Sequence, residues 1–275
     1  MIRAAVLGAD VSKSRSPAIH EAAFRALGID GSYVALSVDA RGFRPLVASL
    51  RQQGFRYLNV TIPHKNAAAA LATSRSPAVR AAGAANTLIF SGRSASVRAE
   101  NTDGVGMLAA LADLGAARPR GRVAVVVGSG GAAAGAIEAL GRAGARVHVV
   151  ARRPAAARAL RDRLPAVRRR AITVFPWNER GLAAALAGAD MLISAVPAAA
   201  WEAPAACAGL TALPDRKAVL EMAYGAGTPL ARAVAGRGTR YADGLGMLVH
   251  QAAHAIELAL GKAPPVALLL QAARS

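Results

Sequence analysis

A compact polar set stands out in the run Asn59-Val60-Thr61-Ile62-Pro63-His64-Lys65. Asn59 and Thr61 are alternate residues, so on a strand their side chains share one face. Lys65 follows where Pro63 must end that strand. In a chain whose other lysines are only Lys13, Lys217 and Lys262, it is conspicuous. Amide, hydroxyl and ammonium groups at one strand end can bind an oxygen-rich ligand and supply a proton. The segments Gly83-Ala84-Ala85-Asn86-Thr87 and Glu100-Asn101-Thr102-Asp103-Gly104 add further short polar groups at strand ends. Ser14 and Ser16 precede Pro17 and a helix start, where hydroxyls and free N–H groups can hold a small anion such as a carboxylate. A helix cap within a serine-rich loop explains the same residues equally well.

A second constellation lies at mid-chain. The β-branched run Arg122 to Val127 ends in Gly128-Ser129-Gly130-Gly131, and good helix formers follow from Ala132 to Ala143. A strand comes next, Arg146 to Val150. With Ala133 at the third position, this spacing fits the dinucleotide fingerprint. A pyrophosphate must approach the backbone closely there, beside the positive end of a helix. A bland tight turn is the competing reading. NAD sites usually place an acid after the second strand, to grip the ribose hydroxyls. Here that strand is followed by Ala151-Arg152-Arg153, and a guanidinium fork suits the 2′-phosphate of NADP.

The elements that must position these groups are legible from periodicity. Strands are expected at Arg3–Leu7, Ser32–Val38 and Tyr57–Ile62, with helices at 18–27 and 43–53 between them. That alternation predicts a mainly parallel sheet in the first hundred residues. Later strands are expected at 189–196 and 217–222, and helix again from Met247 to Leu260.

Composition narrows the classes of function. With 54% hydrophobic residues, the chain can bury a large core. The longest uncharged stretch, Val123 to Ile137, is too short for a bilayer and is broken by glycines. The apolar run before Asp10 is too short for a secretory signal, so a cytoplasmic location is expected. A single cysteine, Cys207, excludes an internal disulfide and a thiolate cage, and the histidines lack ligand spacing, so no metal is expected. The formal charge of +18 suggests a polyanion partner. Yet the arginines are scattered, with Arg168-Arg169-Arg170 the one uninterrupted triplet, whereas a nucleic-acid footprint clusters on one face. Arginine in place of lysine, with abundant alanine and glycine, is what a GC-rich coding sequence produces. No nucleic-acid partner is expected.

Taken in order, the motifs resemble the shikimate dehydrogenase family. They are Ser14-x-Ser16-Pro17-x-x-His20, Asn59-Val60-Thr61-x-Pro63-x-Lys65, Gly83-Ala84-x-Asn86-Thr87, Asn101-Thr102-Asp103-Gly104, the turn from Gly128 to Ala132, and Asp243-Gly244-Leu245-Gly246-Met247 running on to Gln251. The resemblance implies NADPH-dependent, reversible reduction of 3-dehydroshikimate to shikimate, in aromatic amino-acid biosynthesis. It implies Lys65 and Asp103 at the reacting carbon, and Ser14 and Ser16 on the substrate carboxylate. Asn59, Thr61, Asn86, Tyr224 and Gln251 would hold ring hydroxyls. Gly128, Ser129, Gly130, Gly131, Ala132, Arg152 and Arg153 would hold the cofactor, with Met222 and Gly244 on its nicotinamide side. The family's usual Asn-Ala-Thr-Pro-x-Gly-Met appears here as Ser194-Ala195-Val196-Pro197-Ala198-Ala199-Ala200.

The expected fold is α/β, with two domains across a cleft. A substrate domain would take residues 1–105 plus 240–275, and a Rossmann-type NADP-binding domain residues 106–239. A monomer or homodimer is expected. Two other readings remain at this point: a quinate/shikimate dehydrogenase with a catabolic role, and a catalytically weak sensor of the same substrate.

Overall fold

The short apolar runs of the first hundred residues form β1 (Ile2–Gly8), β2 (Gly31–Ser37), β3 (Tyr57–Val60), β4 (Ser74–Arg75), β5 (Thr87–Phe90) and β6 (Val97–Glu100). The computed structural model describes residues 1–91, 96–225 and 227–275, with 205 and 206 described for their backbone alone. Two units emerge: Met1–Gly106 with Leu248–Ser275, and Met107–Met247.

In the first unit the strand order is β2-β1-β3-β5-β6-β4. β1 runs parallel to β2 and β3, as the alternation of strand and helix predicts. The other half departs from the expected parallel sheet, because β5 is antiparallel to both β3 and β6. The link from β5 to β6 is too short for a crossover, which takes a dozen residues or more, so the two strands can only form an antiparallel pair.

Register and pleat then sort the side chains. Ala5, Leu7, Leu58 and Val60 enter one core with Phe43, Val47 and Leu50 of the helix Phe43–Gln52. Tyr57 and Asn59 alternate with those residues and so face the other way. Asn59 pairs with Thr87, and Thr87 pairs with Glu100, so three separate motifs meet across the sheet.

The second unit holds β7 (Val123–Val127), β8 (Arg146–Ala151), β9 (Ile172–Pro176), β10 (Met191–Ser194), β11 (Ala218–Glu221) and β12 (Arg240–Ala242). Their order is β12-β11-β10-β7-β8-β9, and every pairing is parallel. β7, β10 and β11 are buried along their whole length, as a sheet covered on both faces requires. Read from β9, the order is that of the doubly wound nucleotide-binding sheet, and it reverses between β7 and β10. The helix Gly131–Arg142 lays Ala133, Ala136, Ile137 and Leu140 inward. Among the described residues no helix is long and apolar enough to cross a membrane.

Candidate active site

In the first unit Lys65 opens the helix Lys65–Leu71, and Asp103 opens the helix Asp103–Asp113. Lys65 Nζ donates to Asp103 Oδ2 at 2.6 Å, with the lysine 8% and the aspartate 1% exposed. Two charges this buried need further partners to offset lost hydration. Asp103 has them. Its Oδ1 accepts from Asn86 Nδ2 at 2.9 Å, its backbone N–H donates to Asn101 Oδ1 at 3.1 Å, and a helix N-terminus favours its negative charge.

Asn86 is the hub. Its Nδ2 also reaches Thr102 Oγ1 at 2.9 Å and Gln251 Oε1 at 3.0 Å, while its Oδ1 accepts from the Thr102 backbone N–H at 2.9 Å. Thr87 Oγ1 donates to the same Oδ1 at 3.1 Å and accepts from Asn59 Nδ2 at 3.1 Å. Lys65, Asp103, Asn86, Asn59 and Gln251 therefore stand in one network. Thr61 lies just past the end of β3, half-buried. Ser16, buried, opens the helix Ser16–Ala26, and its N–H donates to Ser14 Oγ at 3.2 Å. Arg15, the residue before that helix, makes no side-chain cap, and the Ser14 hydroxyl takes up the helix's first N–H instead.

Sequence reasoning missed Tyr33. Its phenol donates to Asn59 Oδ1 at 2.8 Å, and burial holds its pKa well above the usual value. Its ring stacks on His20 at 3.9 Å. His20 pairs with Tyr57 at 2.7 Å, and burial pushes its pKa down to about 3, so the imidazole stays neutral. His64 pairs with the Val38 carbonyl at 2.8 Å and stacks on Phe43. In sequence Tyr33 is one aromatic in a strand; only the pairing of β1 with β2 and β3 reveals its partner.

In the second unit Gly128 follows β7 at φ +125°, a conformation that side chains rarely adopt. An added Cβ would come within 2.9 Å of the Ala195 carbonyl oxygen. Gly128 and Ala195 thus face each other at the reversal of strand order, where doubly wound sheets bind nucleotides. Ser129 is half-buried, and Gly130 precedes the helix Gly131–Arg142 with open space beside it. No side chain caps this helix, and its first turn, including Ala132, holds no acid. Free N–H groups beside open space fit a pyrophosphate.

Arg152 and Arg153 lie exposed just past β8, and neither guanidinium has an ion pair or hydrogen bond among the described residues. They are available to a phosphate. Met222 follows β11, and Gly244 packs so tightly on it that an added Cβ would lie 2.1 Å from the Met222 carbonyl oxygen. Tyr224 stands on the same segment, 40% exposed.

A parallel sheet in doubly wound order, with a glycine turn after β7, defines an NAD(P)-binding domain; a buried lysine–carboxylate pair adds the proton chemistry of a dehydrogenase. Residues 6–88 match the shikimate dehydrogenase substrate binding domain, 116–208 a putative NAD(P)-binding domain, and 244–274 the shikimate 5′-dehydrogenase C-terminal domain. Shikimate dehydrogenase (NADP(+)) of Methylobacterium radiotolerans is 40% identical over 269 residues, covering 96% of this chain and 93% of that protein. The crystal structure of shikimate 5-dehydrogenase from Thermus thermophilus in complex with NADP(H) and shikimate superposes with a TM-score of 0.85. Its identity is 30%, over 100% of this chain and 99% of that one. Shikimate dehydrogenase of Mycobacterium tuberculosis gives 0.84 at 34% identity, over 100% and 99%. The chain belongs to the shikimate dehydrogenase family.

Proposed function

We propose that this protein catalyses the reversible, NADP-dependent reduction of 3-dehydroshikimate to shikimate. The observation that carries the reading is the buried contact of Lys65 Nζ with Asp103 Oδ2 at 2.6 Å, tied through Asn86 to Gln251. NADPH supplies the hydride when bound. Residues 128–132 would hold its pyrophosphate, Arg152 and Arg153 its 2′-phosphate, and Met222 and Gly244 its nicotinamide side.

As a ketone is reduced, negative charge grows on its oxygen, and a cationic donor beside that oxygen stabilises the transition state. Lys65 provides the charge and then the proton. Asp103 holds the ammonium in place, and Asn86 keeps Asp103 oriented. In the oxidative direction Lys65 Nζ takes the proton back from the substrate hydroxyl. Ser14 and Ser16 bind the carboxylate, and Asn59, Thr61, Asn86, Tyr224 and Gln251 bind ring hydroxyls. The reading carries with it a cytoplasmic enzyme of aromatic amino-acid biosynthesis, acting as a monomer or homodimer.

The test is absorbance at the nicotinamide band with shikimate or quinate, each with NADP or NAD. Shikimate with NADP should turn over fastest. Equal or faster turnover of quinate would instead indicate the catabolic quinate/shikimate dehydrogenase, and binding without turnover would indicate a sensor.

A further inference from the structure

We propose that Tyr33 is a positioning residue of the substrate site, whose phenol holds the Asn59 amide in the orientation that Thr87 sets and so keeps the polarity that Asn59 presents to substrate. The inference rests on the reading of Asn59 as a substrate ligand.

The polarity follows from one donor that cannot reverse. The Thr102 backbone N–H points at Asn86 at 2.9 Å, so the Asn86 atom facing it must be the carbonyl oxygen, Oδ1. Thr87 Oγ1 lies 3.1 Å from that same oxygen and must spend its single proton on it. At 3.1 Å from Asn59, Thr87 can then only accept, which turns Asn59 Nδ2 towards it. The other end of the amide, Oδ1, is left facing Tyr33 at 2.8 Å, and there the phenol must donate. Burial keeps that proton in place, because a phenolate here would lose its hydration.

Among the described residues the second lone pair of Asn59 Oδ1 and the Gln251 Nε2 hydrogens are open to a ligand, since Gln251 Oε1 is already engaged by Asn86. A hydroxyl at Asn59 must therefore donate, and one at Gln251 must accept.

Tyr33→Phe keeps the ring stacked on His20 and deletes only the O–H. Tyr57→Phe is the internal control: its phenol is equally buried and belongs to the same aromatic cluster, but it bonds His20 rather than Asn59. Tyr33→Phe should raise the KM for shikimate about 2–13-fold, the value of one hydrogen bond, with kcat within about threefold and NADP affinity unchanged. Calorimetric titration with shikimate should show the same loss. Tyr57→Phe should leave KM unchanged. An unchanged KM in Tyr33→Phe, or equal rises in both variants, would overturn the inference while leaving the assigned reaction standing. Failure of the unmodified protein to bind shikimate would overturn both.

Discussion

Trp201 Nε1 donates to Ser194 Oγ at 2.9 Å, with the serine fully buried and the tryptophan 1% exposed. Ser194 ends β10 at the reversal of strand order, and it begins the segment that departs most from the family pattern. The pairing gives the serine at that position a structural role. Trp201 shares a core with Val125 and Val127 of β7, Leu192 of β10 and Val219 of β11, and needs one acceptor for its indole N–H. Ser194 thus serves the core, and the Gly128 turn beside it keeps its close approach to Ala195.

Ser194→Ala should therefore act on stability. It leaves the indole N–H of Trp201 buried without a partner, at a cost of about 1–3 kcal/mol. Denaturant titration should show the unfolding free energy falling by that amount, read as a lower midpoint at an unchanged slope, and NADP affinity should stay near that of the unmodified protein. An unchanged midpoint would mean that the indole finds another acceptor.

His20 makes stability depend on pH. Burial pushes its pKa down to about 3, from an ordinary 6.5. Between those values the unfolded chain takes up a proton that the folded chain excludes. Stability from this group is complete above pH 6.5 and is lost as pH falls towards 3, by up to about 1.4 kcal/mol per pH unit. Denaturant midpoints from pH 7 to pH 4 should fall less steeply in His20→Gln than in the unmodified protein. Equal slopes would mean that His20 takes up its proton without unfolding.

Much of the site was legible because its residue types contradict their surroundings. Lys65 is a lysine among arginines, and Gly128 breaks a run of valines. Arg152 and Arg153 stand where an acid would mark NAD. The direction of β5 was hidden, since Thr87–Phe90 is short and buried throughout, with no alternation to read. Tyr33 was hidden for another reason. It is far from Asn59 in sequence, and nothing in its own segment distinguishes a hydrogen-bonding phenol from a packing aromatic. The indole acceptor at Ser194 was hidden likewise, because family comparison marks a difference without showing its partner.

Cofactor preference should follow the free guanidiniums past β8. A charge-assisted bond to phosphate is worth about 1.5–3 kcal/mol, or roughly 10–150-fold in affinity. Titration should show NADP bound more tightly than NAD by a factor in that range. Arg152→Ala should erase much of the gap, and added salt should narrow it, since an exposed contact is screened. Equal affinities in the unmodified protein would remove both arginines from the cofactor site.

In the proposed mechanism Lys65, held by Asp103, moves the proton. The most direct test is the turnover of Lys65→Ala with shikimate and NADP, measured beside the binding of each ligand. Turnover should fall about 10²–10⁴-fold, the usual loss on removing a general acid or base, with much smaller changes in both affinities. Turnover near that of the unmodified protein would contradict the account.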